Sequence, residues 1–127
     1  PAKNFVKRVI GLGGDKIQII NGELYINDQM VASKKLDVQE GEGDLHLNNV
    51  DWPIVFEERI GDARYHVQYL RDRSGNNVGP WMVPADAVFV MGDNRDNSLD
   101  SRFGLCRQFR TGHGFRRSDP HAGYKRL

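Results

Sequence analysis

One cysteine, no long apolar run and almost no net charge are the first features of this sequence. Cys106 alone cannot close an internal disulfide, so cysteine usage gives no information about redox compartment. Apolar stretches such as Ala87–Met91 fall far short of the ~20 residues a membrane-spanning helix needs, and no signal peptide is visible. An initiator Met is missing too: the chain opens on Pro-Ala-Lys-Asn-Phe and enters a strand-like run at once. It reads as a segment cut from a longer protein. A net charge of +1, with 39% hydrophobic and 28% charged residues, argues against a disordered or nucleic-acid-coating chain. At 127 residues, one domain with a real core fits.

The charge is unevenly spread. Residues 104–127 carry six Lys/Arg against one acid, while residues 1–103 carry twelve against sixteen. A basic tail can contact nucleic acid or anionic lipid. A solvated end is the reading and no nucleic-acid partner is expected.

Helical periodicity is also lacking, as are internal repeats and low-complexity tracts. What is present is β pattern. Asn4–Leu12 is rich in β-branched residues and ends at Gly13-Gly14-Asp15, a turn signal. Lys16–Ile20 and Glu23–Asp28 flank Asn21-Gly22, which predicts a hairpin with a type I′ turn. Gln29–Ser33 is a candidate further strand. Residues 34–62 are less regular, broken by Gly41, Gly43, Asn48-Asn49 and Pro53. Alternation returns at Arg64–Asp72, and Trp81–Pro84 and Ala87–Asp93 read as two short buried strands. The fold class is all-β or β-dominated.

Several candidate sites fail on their own chemistry. Gly11–Lys16 has Lys16 where a dinucleotide fingerprint needs its last Gly, and a strand follows where a helix is required. It is a glycine turn between strands. Asp93–Gly104 fails as a calcium loop, with Arg95, Ser98 and Gly104 at positions that need an oxygen ligand, Gly and Glu. His46, His66, His113 and His121 show no metal-ligand spacing. A G-x-S-x-G elbow is absent. Neither metal nor cofactor is expected.

Lys7 stays open. In a strand it shares a face with Phe5 and Val9 while Arg8 points the other way. An ammonium between apolar neighbours is partly desolvated, which lowers its pKa from about 10.4 toward the range of a general base. A snorkelling lysine with no chemical role has the same pattern. Met91–Gly104, "MGDNRDNSLDSRFG", packs turn-formers and charges directly behind a buried strand.

Taken together, "FVKRVIGLGGD" (Phe5 to Asp15) and "MGDNRDNSLDSRFG" resemble the two characteristic boxes of bacterial type I signal peptidase. Gly13 stands where that family usually has Pro. The hairpin after the lysine box and "VPADAVFVMGDN" before the second box agree with it, so the resemblance covers roughly residues 4–104. It implies a signal-peptidase-like, LexA-like complex β-fold, incomplete at the N-terminus. It also implies a membrane-bound serine endopeptidase that removes signal peptides from exported preproteins by a Ser-Lys dyad. Lys7 matches the general base and Ser98 the hydroxyl that orients it. Arg8, Asp93, Asp100 and Arg102 match the polar residues that hold the boxes together beside the catalytic centre. A neutral hydroxyl at Ser98 can accept from the ammonium or donate to the free amine without strongly favouring the charged form. The implied place is the bacterial inner membrane, with the catalytic domain on the periplasmic side and the anchor outside this soluble fragment.

The match has limits. The family's nucleophile lies in a P-S-x-S-M-x-P box upstream of the lysine strand, and none of Ser33, Ser74, Ser98, Ser101 or Ser118 has that context. This chain carries the lysine half of the site and is expected to be inactive alone. The expected organisation is a catalytic-core fragment over 1–104, with an irregular segment near 34–80 as a candidate insertion, then an atypical basic tail over 105–127. That tail lacks strand periodicity where the family has a closing strand near Val-Gly-Arg-Ala, which suggests an altered reading frame or an artefact. The alternative function is a non-catalytic peptide-binding or structural module of the same fold. A LexA-like self-cleaving repressor ranks lower, because those proteins lack the second box.

Overall fold

The computed structural model of the chain describes residues 6–36, 53–98, 100–103 and 116–122. Among them the structure is strand-dominated, with three antiparallel sheets and a single short 3₁₀ turn at Ser101–Phe103. No described helix is long and apolar enough to cross a membrane.

The first sheet positions the site. Its central strand is β1 (Val6–Leu12), flanked by β9 (Val88–Met91) and β10 (Pro120–Ala122). All four residues of β9 are buried, which an apolar strand covered on both faces requires. On one side Val88 and Val90 pack with Val9; on the other Phe89 and Met91 join Ile10 and Ile17 in the main core. Fully burying a side chain of this size contributes about 1.5–3 kcal/mol, so β1 and β9 are fixed from both faces. Strand β10 reports a difference from expectation. Asp119 and Pro120 give no periodic signal, yet Lys7 pairs with His121 and Arg8 with Pro120. The unpaired edge of β1 supplies the ladder that the sequence of the tail does not announce.

The second sheet runs in the order β4 (Gln29–Met30), β3 (Glu23–Ile26), β2 (Lys16–Ile20) and β8 (Val78–Met82). Ile20 pairs with Glu23 across Asn21-Gly22, whose φ values of 53° and 81° are the two left-handed positions of a type I′ turn. Asn27 and Asp28 repeat that geometry at 52° and 68°, so β3 stops at Ile26 and the predicted Glu23–Asp28 strand is two residues too long.

The third sheet joins β5 (Ala32–Lys35), β6 (Ile54–Ile60) and β7 (Ala63–Tyr69). Residues 54–60 form a full strand inside the stretch read as irregular. The apolar pairs around Glu57-Glu58 hide the alternation. Tyr65, Val67 and Tyr69 form a small core of this sheet with Phe56 and Ile60 packed against it. The third sheet touches the turn that follows β9 through a parallel bridge between Gln68 and Asn94. Phe5, Cys106, most of the basic tail, His46, His113 and the breakers between 41 and 49 lie outside the described residues.

Candidate active site

Lys7 is only 8% exposed, on the face of β1 that carries Val9. Its ammonium nitrogen donates to Ser98 Oγ at 2.9 Å. Ser98 in turn donates to Asp100 Oδ2 at 2.9 Å. The hydroxyl therefore bridges an amine and a carboxylate. Gly92, the residue after β9, is what lets Ser98 reach Lys7. A Cβ there would lie 2.7 Å from Ser98 Cβ, against Ser98 Oγ, and 3.5 Å from Lys7 Nζ. Glycine is required for that close approach, whatever its backbone angles.

Asp100 is fully buried and well satisfied. Arg102 grips it with two parallel bonds, Nε to Oδ1 and Nη2 to Oδ2, both 2.8 Å, and the Gly92 amide donates to Oδ2 at 2.8 Å. Burial alone would raise the carboxyl's pKa. The Arg102 guanidinium, with the Gly92 amide and the Ser98 hydroxyl, outweighs it and holds Asp100 below the ordinary carboxylate range. The carboxylate is thus a fixed negative end to the chain of bonds from Lys7.

On the opposite face of β1, Arg8 makes a matching fork with Asp93, Nε to Oδ1 at 3.0 Å and Nη2 to Oδ2 at 2.7 Å. Its guanidinium lies 4.0 Å from the centre of the Tyr65 ring, and Nη1 donates to the Ser118 carbonyl at 3.1 Å. Arg8 so ties together β1, the turn after β9, and the segment that leads into β10. Of the six sequence-predicted residues, Lys7, Ser98, Asp100 and Arg102 are joined in one chain of bonds, while Arg8 and Asp93 form a separate pair on the other face of β1.

Sequence reasoning missed a second layer. Arg95 is 2% exposed and Glu58, on β6, is 1% exposed. Arg95 reaches Glu58 with Nη1 to Oε2 at 3.0 Å and Nη2 to Oε1 at 2.9 Å, while Tyr65 donates its hydroxyl to Oε1 at 2.9 Å. Burial and the Glu58 carboxylate push the Tyr65 hydroxyl pKa well up, and Glu58 overcomes the cost of burying Arg95 and raises that guanidinium's pKa. Asp15 was also missed. Its carboxylate accepts from the Leu12 amide at 2.7 Å, Asn27 Nδ2 at 2.9 Å, and Arg117 at 2.8 and 2.9 Å. Buried acids paired with distant basic residues leave no periodic trace in a sequence.

Gly13, the position that departs from the resembled box, has no room for a side chain. A Cβ there would fall against the Ala85 carbonyl, 2.8 Å from its carbon and 2.9 Å from Cα. Among the described residues no group of three or more His, Cys, Asp or Glu is placed to hold a metal ion.

The geometry is that of a β-sheet protein whose buried lysine is held by a hydroxyl and, behind it, an ion pair. The family described as signal peptidase, peptidase S26, matches residues 1–115, and the chain belongs to that family. The signal peptidase I of Pseudomonas aeruginosa is 36% identical over 107 residues, covering 81% of this chain and 34% of that protein. That of Pseudomonas fluorescens is 35% identical over 105 residues, with 81% and 34% covered. The Rickettsia typhi signal peptidase I is 33% identical over 109 residues, with 80% and 39% covered. The chain thus spans between 34% and 39% of the length of these relatives. No solved structure matches it.

Proposed function

We propose that the protein carrying this chain is a membrane-associated serine endopeptidase that removes signal peptides from exported preproteins. Lys7 is its general base, and residues 1–104 belong to its catalytic core. The observation that carries this reading is the 2.9 Å contact between Lys7 Nζ and Ser98 Oγ, inside the two segments that resemble the family's boxes. None of the five serines of this chain has the P-S-x-S-M setting, so the nucleophile comes from the protein outside residues 1–127.

In this mechanism neutral Lys7 takes the proton from the nucleophilic hydroxyl as its oxygen bonds to the scissile carbonyl carbon. Lys7 then gives that proton to the leaving amine as the C–N bond breaks. Water repeats the attack on the ester and frees the enzyme. Ser98 holds the amine on its line of approach. The Asp100–Arg102 and Arg8–Asp93 pairs hold Ser98 and β1 in register.

The test is preprotein cleavage by the intact protein with Lys7→Arg. A guanidinium does not lose its proton in proteins, so turnover should vanish, as it should with Lys7→Ala. Near-normal turnover by Lys7→Arg would mean that Lys7 is not the base. Absence of cleavage by the parent protein would favour the peptide-binding module instead.

A further inference from the structure

The turn that presents Ser98 is built on a strand pair outside both boxes. Gln68 on β7 donates its amide to the Asp93 carbonyl at 2.8 Å and accepts from the Arg95 amide at 2.9 Å. The Leu70 amide donates to Asp96 Oδ2 at 2.6 Å. Arg95 then runs inward from this turn, and its guanidinium has two tasks. It meets Glu58 on β6, and its Nε donates to the Gly92 carbonyl at 2.9 Å. Gly92 is the residue against which Ser98 packs, and its amide holds Asp100.

We infer that Glu58 is a positioning residue: by neutralising Arg95 it fixes the turn that holds Ser98 against Lys7. This rests on the function proposed for Lys7 and extends the lysine site to the β6–β7 hairpin. A buried guanidinium keeps its charge, so without a carboxylate beside it Arg95 must move toward water. Moving it breaks the Nε bond to Gly92, and that frees the residue against which Ser98 packs. The contacts form a continuous path, Glu58 to Arg95 to Gly92 to Asp100 to Ser98 to Lys7, each step a bond already described. Tyr69 adds a lesser restraint, its hydroxyl accepting from Arg95 Nη1 at 3.3 Å.

Competitive acetylation of the whole folded chain, read at each lysine by peptide mass spectrometry, tests this. Lys7 is the readout, and Lys16, Lys34 and Lys35 serve as internal controls. Two variants are compared with the parent sequence. Glu58→Gln keeps the shape and leaves the buried charge unpaired. The double variant Glu58→Leu with Arg95→Met removes both charges, fills a similar volume and deletes the bond to Gly92. Apolar replacement of a buried ion pair is tolerated by many folds. Acetylation of Lys7 should rise about tenfold relative to the three controls in each folded variant, the scale of one broken link in a hydrogen-bond network. Tyr65→Phe, which keeps the ion pair, should leave the Lys7 rate within about twofold of the parent. Parent-like protection of Lys7 in a folded variant overturns the inference. So does a uniform rise at all four lysines in both variants, since the pair would then support the whole fold and not this turn. The assay needs no nucleophilic serine. A Lys7 that proves not to be the base in cleavage therefore leaves this result intact, and the two failures are distinguishable.

Discussion

Lys7 and Ser98 stand 91 positions apart in the chain and 2.9 Å apart in space, and the space between them is set by Gly92. An alanine at 92 places a methyl group where Ser98 Oγ now lies. Gly92→Ala should lower stability by about 1–3 kcal/mol through overpacking, measured by thermal or urea unfolding. In the intact protein it should reduce cleavage at least as much as Ser98→Ala does. Ser98→Ala should itself cost less than Lys7→Ala, since an orienting group contributes less than the ~10²–10⁴-fold of the proton-transfer group it serves. Equal stability and full activity of Gly92→Ala would show that Ser98 can stand elsewhere.

Acid should unlock the carboxylate end of the same chain of bonds. Asp100 is held below the ordinary carboxylate range by Arg102, against its burial. A carboxyl whose folded pKa is depressed stabilises the fold above its unfolded value of about 3.9, and loses that contribution as pH falls through the folded value. Asp100→Asn should therefore melt well below the parent at pH 7. The gap should narrow as pH drops below about 4, followed by circular dichroism. A gap that stays constant down to pH 2 would contradict the ion pair.

The segment before β10 should be held by a removable clamp. Arg117 reaches Asp15 with bonds of 2.8 and 2.9 Å, and the Val9 and Ser118 amides exchange bonds with Asp119 and Val9 carbonyls. Arg117→Ala should speed hydrogen exchange at the Val9 and Ser118 amides about tenfold, as loss of a charge-assisted bond worth ~1.5 kcal/mol predicts. Amides of the β2–β3 hairpin should be unaffected. Exchange quickened everywhere would mean that the clamp supports the whole fold.

What the sequence disclosed depended on whether local chemistry or distant pairing decides the structure. Asn21-Gly22 dictates its own turn because both residues tolerate positive φ, and the boxes around Lys7 and Ser98 are recognisable as strings. Apolar runs such as Val88–Met91 announced a strand buried on both faces. Glu58 was invisible by contrast: one of two adjacent acids on a strand reads as solvated until its partner, 37 positions on, is known. Arg95, inside a turn full of charges, looked equally exposed. Pro120–Ala122 lacks a strand signal altogether, because its conformation comes from the edge of β1 and not from its own side chains. Residues 54–60 were misread because Glu57, Glu58 and Arg59 interrupt the apolar alternation, although all three lie in one strand.

Central placement of β1 has a temporal consequence. Lys7 precedes in the chain both strands that flank it: it pairs with His121 of β10, and the residues after it pair with Met91 and Val90 of β9. Contacts of such long sequence separation close slowly, because loop entropy must be lost before any pairing is gained. A nascent chain emerging from the ribosome therefore carries its lysine early and cannot arm it. Only when the stretch around residue 122 has been released does β1 acquire its second edge, so the lysine site matures after the hairpins that precede that stretch.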